Sequence, residues 1–154
     1  MNQNEDCLFC KIVKWEIPSF KLRENDKFMA ILDIFPNCKW QTLVIAKDHY
    51  DSDLFEIEDT EFYLEFMKAT KEVVKLLKKW LQTKKVWMIL EWMWVNHLHI
   101  KLYPMFWLEN DNRKDLVWKD RIYFEKYGWY ITSQMWNIAN NDELKSIQEQ
   151  ITSN

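Results

Sequence analysis

Over the first third of the chain, apolar residues come in short runs punctuated by turns; the pattern then switches to a helical period. Phe20-Lys21-Leu22-Arg23 alternates apolar with basic residues and reads as a strand, closed by a turn at Glu24-Asn25-Asp26. Lys27 to Ile34 reads as a second strand ended by Pro36-Asn37, and Thr42-Leu43-Val44-Ile45 as a third. After the acidic stretch around Asp51 and Asp53, a long helix begins near Asp59-Thr60, with Phe62, Phe66, Ala69, Val73, Leu76, Leu77 and Trp80 on one face. Lysines 68, 71, 75, 78 and 79 mostly fall off that face and read as solvated surface rather than a nucleic-acid patch. Val86–Leu90 and His97–Tyr103 make two further strands, the second ending at Pro104. The pattern weakens from Met105 until Asp142–Ile151, a short C-terminal helix with Asn140 or Asn141 as N-cap. Strands, one long helix and more strands predict a single α+β domain over 1–154, built on an antiparallel sheet of about five strands.

Composition narrows the function classes. The chain has 154 residues, 48% hydrophobic and 29% charged, with 21 basic and 24 acidic side chains and a net charge of −3. Those values exclude a disordered tail, a collagen-like repeat and a strongly basic nucleic-acid binder. The N-terminal Met1-Asn2-Gln3-Asn4-Glu5-Asp6 is polar and acidic, unlike a signal peptide. The longest apolar stretch, Val86 to Val95, is interrupted by Glu91 and is too short for a membrane span. A cytosolic location is therefore expected. Cys7 and Cys10 form a C-x-x-C, which in a reducing compartment reads as a metal or redox pair. The βαβ setting of a thioredoxin-like redox motif is missing, which favours metal. Cys38, on the loop after Pro36, reads as a free thiol.

The three histidines are His49, His97 and His99. His97 and His99 are two apart on a strand, so their side chains share a face about 6.6 Å apart along it, and Lys101 continues that face. Cys7, Cys10, His49 and one of the paired histidines would complete a Cys₂His₂ set, the composition of a closed structural zinc site.

C-x-F-C, W-E-I-P-S, E-N-D-K-F, A-I-L-D-I-F-P, T-L-V-I-A-K-D-H and H-L-H-I-K-L-Y-P follow one another between residues 7 and 104. In that order the chain resembles the histidine triad (HIT) family in its bacterial C-x-x-C form, with residues 105–154 as a C-terminal extension. The resemblance implies a HIT-like fold and a metal, Zn²⁺, on Cys7, Cys10, His49 and His97. It also implies that His99 is a nucleophile attacking the α-phosphorus of a nucleotide and passing through a nucleotidyl-imidazole that water hydrolyses. Asp33 resembles the acceptor for the ribose hydroxyls, with Leu32 and Ile34 beside it at the base pocket; Asn96 is expected to join the nucleotide site. Homodimers are expected from the same resemblance. Two positions depart from the family pattern: Lys101 replaces the third triad histidine, and Gln41 replaces the histidine after Trp40. Lys101 can still hydrogen-bond a phosphate or a bridging oxygen, so Lys101 and Gln41 are expected at the catalytic end of the site. A nucleotide sensor with weakened catalysis is the alternative.

The chain contains 10 tryptophans and a single glycine, where average usage predicts roughly 11 glycines. Trp15, Trp40 and Trp92 stand where the family pattern usually has glycine, and Trp94 and Trp129 resemble further such places. These are turns and a phosphate approach, where the backbone needs glycine's freedom. The pattern predicts that these codons are UGA read naturally as glycine; the alternative is a tryptophan-rich chain that has lost its glycines.

Overall fold

The computed structural model describes residues 3–36, 38–91, 94–105 and 140–142. Residues 1–109 form one compact unit and residues 110–154 another. In the first, the chain order is α1 (Leu8–Val13), β1 (Lys21–Glu24), β2 (Phe28–Leu32), β3 (Thr42–Ala46), a 3-10 turn (Leu54–Glu56), α2 (Thr60–Leu81), β4 (Lys85–Leu90) and β5 (His99–Met105). The strands form one five-stranded antiparallel sheet, as expected, in the order β1-β2-β3-β5-β4. The first hairpin turns on Asn25, whose Oδ1 accepts from the backbone N–H of Lys27 at 3.0 Å and of Phe28 at 2.7 Å. That is an Asx turn, which closes the loop without glycine.

α2 starts at Asp59, whose carboxylate accepts from the N–H groups of Glu61 and Phe62, two donors that lack intrahelical partners. Its buried stripe is Phe62, Phe66, Thr70, Val73 and Leu77. The Thr70 hydroxyl is satisfied there by donating to the Phe66 carbonyl at 2.9 Å. This stripe packs on one face of the sheet, against Phe28, Ala30, Val44, Ala46, Leu98, Ile100 and Leu102. On the opposite face, Met29, Ile31, Leu43 and Ile45 pack against Phe9, Cys10, Ile12 and Val13 of α1. Because both faces are covered, β2 and β3 read as continuous apolar runs instead of alternating ones.

Several expectations shift. The second strand stops at Leu32, so Asp33 and Ile34 belong to the following loop. β5 begins at His99, with His97 just before it, and runs through Pro104 to Met105. Proline is tolerated because the β3 ladder ends at Leu102, leaving Pro104 paired on the β4 side alone. Trp80 is 72% exposed; Leu77 and Leu81 occupy the core positions of the last turn. Helix α1 carried no periodic signal at six residues. Asn140 does cap a helical start, accepting from the Asp142 N–H at 2.8 Å; residues 143–151 of that expected helix lie outside the described residues.

Two tight backbone places hold tryptophan. α1 ends with the Glu16 N–H on the Lys11 carbonyl at 2.9 Å and the Trp15 N–H on the Ile12 carbonyl at 3.1 Å. This is a Schellman ending, and Trp15 takes its left-handed position at φ 65°. Trp40 is the third residue of a turn closed by the Gln41 N–H on the Cys38 carbonyl at 3.2 Å, at φ 59°. Gln82, after α2, is the remaining positive-φ residue among the described residues, at φ 53°.

Candidate active site and metal centre

Short α1 places two thiols together. Cys7 is its N-cap and Cys10 lies three residues on, so both point to one side of the first turn. The loop after β3 brings in His49, and the bend entering β5 brings in His97. Their ligand atoms all lie within 4.8 Å of one another. His97 Nδ1 is 3.3 Å from Cys7 Sγ, 3.5 Å from Cys10 Sγ and 3.2 Å from His49 Nδ1, and Cys10 Sγ is 3.4 Å from His49 Nδ1. A tetrahedron with Zn–S of about 2.3 Å and Zn–N of about 2.05 Å has S···N edges of about 3.55 Å and an N···N edge of about 3.35 Å. The observed separations match those edges, so the set can hold a metal ion. The structure thus brings together the four residues that the sequence singled out.

The hydrogen bonds fix the ligating tautomer. His97 Nε2–H donates to the Ala46 carbonyl at 2.7 Å, which leaves the Nδ1 lone pair facing the cysteines. His97 is fully buried, and that burial pushes its pKa down to about 4, against the opposing pull of the Ala46 carbonyl. Burial raises the Cys10 thiol, while the Asn4 N–H, 3.4 Å from its sulfur, favours the thiolate. A cation among these groups reverses the cost of ionising the thiols.

His99 lies one step further along the same face. Its cross-strand partner on β3 is Ile45, and Lys101 pairs with Leu43. His99 is buried, with Phe9 packed edge-on at 5.0 Å between ring centroids. Its Nδ1–H donates to the His97 carbonyl at 2.7 Å. In the neutral ring, Nε2 therefore carries the lone pair, which is what a nucleophile or general base requires. Desolvation holds the ring below its ordinary pKa, opposed by the His97 carbonyl and by Glu91. Glu91 Oε1 lies 3.5 Å from His99 Nε2 and 2.5 Å from Lys101 Nζ. Sequence reasoning missed this residue, treating it as a break in an apolar stretch. Its place is set by the ladder: Leu90 pairs with Ile100, so the next residue on β4's path lies level with His99.

Gln41 and Asp33 are brought together at the neighbouring end of β2 and β3. Gln41 is buried and its Nε2 donates to Asp33 Oδ2 at 2.5 Å, while Asp33 Oδ1 accepts from the Phe35 N–H at 2.9 Å. Leu32 is half-buried beside them and Ile34 is exposed. Asn96 engages the loop after His49: its Oδ1 accepts from the Ser52 N–H and hydroxyl, and its Nδ2 donates to Asp51 at 3.0 Å. Those bonds hold the approach to His97. Trp92 lies outside the described residues. Among the described residues, no helix is long and apolar enough to cross a membrane.

Known proteins resemble this chain in sequence and in fold. The HIT domain model matches residues 14–106. An adenosine 5'-monophosphoramidase of Saccharomyces cerevisiae is 40% identical over 114 residues, covering 72% of this chain and 67% of its own length. An uncharacterized HIT-like protein of Borreliella burgdorferi is 42% identical over 74 residues, covering 48% of this chain and 52% of its own. The chain spans about half the length of the first curated relatives it matches. Among solved structures, a histidine triad protein from Clostridium difficile is 31% identical with TM-score 0.59, covering 70% of this chain and 97% of that one. A Streptococcus mutans protein is 26% identical with TM-score 0.70, covering 99% of this chain and 87% of that one. With the domain model matched across more than half of its length, this chain belongs to the HIT domain family.

Proposed function

We propose that the protein is a nucleotide hydrolase or transferase that cleaves at the α-phosphate of a nucleoside phosphoramidate or dinucleoside polyphosphate. The observation that carries this reading is the state of His99: Nδ1 is tied to the His97 carbonyl, and Nε2 faces the Glu91 oxygen that also holds the Lys101 ammonium. Nε2 attacks the α-phosphorus, and the bond to the leaving group breaks with its electron pair on that group, which takes up a proton. Water then attacks the nucleotidyl-imidazole, the phosphorus–nitrogen bond breaks, and His99 is regenerated with release of the nucleoside monophosphate. Lys101 offers a compact cation to the phosphate oxygens as charge develops. Asp33, oriented by Gln41, is the acceptor for the ribose hydroxyls, with Leu32, Ile34 and Asn96 completing the nucleotide site.

In this reading the ion held by Cys7, Cys10, His49 and His97 is zinc, and when bound it supplies structural cross-linking. A reducing cytoplasm suits the thiolates, and a homodimer is part of the same proposal. Incubation with an AMP-amine conjugate or a diadenosine polyphosphate should release AMP, and His99→Ala should abolish it. Full turnover by His99→Ala would remove the nucleophile assignment. The second reading, a nucleotide sensor, is favoured by Lys101 in the third triad place and predicts AMP binding without turnover.

A further inference from the structure

Lys101 poses a problem that the triad alone does not solve. A histidine ring in the third place is stiff, whereas a lysine ammonium rides on a flexible four-carbon stem with many rotamers. Something must hold Nζ beside the nucleophile if lysine is to act in its stead. We propose that Glu91 is the positioning residue that fixes the Lys101 ammonium next to His99; this rests on the hydrolase reading above.

Three observations carry the assignment. The Glu91 oxygen that meets Lys101 Nζ at 2.5 Å is the same oxygen that lies 3.5 Å from His99 Nε2, so one atom sets the spacing of both groups. The side chains are sheltered, 12% exposed for Glu91 and 17% for Lys101, so water screens this pair less than a surface ion pair. The antiparallel ladder supplies the geometry: Ile89 pairs with Lys101 and Leu90 with Ile100, which sets Glu91 level with His99 and diagonal to Lys101. Of the pair, Lys101 acts on the phosphate and Glu91 acts through Lys101. As the phosphate arrives, Nζ contacts it from a position Glu91 has already fixed, so less ordering is left for the transition state.

The test compares Glu91→Gln, Lys101→His and the double variant with the parent, on an AMP-amine substrate that the parent turns over. Glu91→Gln should lower kcat about 10-fold to 100-fold with little change in KM. The double variant should match Lys101→His within about threefold, because an imidazole needs no carboxylate anchor. Unchanged or faster turnover by Glu91→Gln would overturn the proposal, as would a double variant slowed by the full Glu91→Gln factor relative to Lys101→His. A second readout does not require turnover. In the parent, the Lys101 ammonium should give a slowly exchanging ¹⁵N resonance that Glu91→Gln removes, with melting temperature preserved. An identical resonance in both would overturn the proposal. A parent that releases no AMP from any substrate would refute the hydrolase reading and leave the resonance to decide the Glu91 contact.

Discussion

The tryptophans at 15 and 40 invite a test in which the sign of an effect separates backbone strain from side-chain packing. An L-residue in the left-handed region costs roughly 1–2 kcal/mol, and both residues are there, at φ 65° and 59°. Simple comparison of parent with glycine variants is confounded, because each indole also has a partner: Lys21 Nζ lies 4.3 Å from the Trp15 ring and Lys39 Nζ 4.1 Å from the Trp40 ring. Such contacts are worth about 0.5–1 kcal/mol at exposed sites. Comparing Trp→Gly with Trp→Ala removes the indole from both arms. Alanine keeps the Cβ clash, while glycine relieves it at an entropic cost of about 0.5–1 kcal/mol. Glycine should therefore be the more stable replacement by about 1 kcal/mol at positions 15 and 40. At Trp87, within β4, alanine should win by about 0.5–1 kcal/mol. Urea unfolding at equal slope reads these differences, and thermal midpoints should separate by about 2–4 °C per kcal/mol. Alanine more stable than glycine at 15 and 40 would refute the strain argument. The codons then decide its origin: UGA at 15, 40 and 92, with intact mass from the source organism showing glycine, is expected. UGG at those codons ends the decoding explanation and leaves the strain in place.

Two stability predictions follow from buried groups. In metal-stripped protein, His97 has a pKa of about 4 against an ordinary 6.5. The unfolded chain therefore binds the extra proton between those values. Stability is complete above about pH 6.5 and falls as pH drops toward 4, by up to about 3 kcal/mol; urea midpoints across this range should show that slope, and a flat profile would refute it. Phe66, fully buried and stacked on Phe28 at 5.1 Å, should cost about 3–5 kcal/mol on replacement by alanine. A loss under 1 kcal/mol by the same measurement would place the α2 contact outside the main core.

The candidate site residues were legible because they come as spaced residue types: C-x-x-C, H-x-H and the histidine after β3 survive any uncertainty about element ends. The five strands followed from runs and turns, and α2 from its period and its start near Asp59-Thr60, whereas the strand order came only from the structure. What escaped has physical causes. A six-residue helix spans under two turns, too short for periodicity to show. Glu91 is defined by cross-strand register, which a linear reading does not contain, although its lone carboxylate at the end of an apolar run marked it. Pro104 ends a strand only when both neighbours demand its N–H, and here one ladder has already stopped. The positions of Trp15 and Trp40 were read from a family pattern, but their left-handed backbone belongs to a helix ending and a turn that composition could not reveal.

His97 joins the two halves of the site, and this makes stability and catalysis separable by experiment. Its imidazole belongs to the metal set, while its main-chain carbonyl accepts from His99 Nδ1. An ion bound there would hold the approach to β5 through a side chain, and the carbonyl would transmit that position to His99, the proposed nucleophile. Free metal at about a thousandfold excess over its dissociation constant stabilises by about 4 kcal/mol, on the order of 10 °C in midpoint for a chain of this size. Chelation should therefore lower the midpoint by that order. Well below the new midpoint, where the protein remains folded, kcat should still fall, because the His99 ring loses its fixed acceptor. Cys10→Ser should reproduce both effects, with metal content measured in the same sample. Asp59→Ala, which removes the α2 cap for about 1 kcal/mol, should lower the midpoint alone. A chelated protein that melts early yet turns over at the full rate would show that His99 is held without help from the metal set.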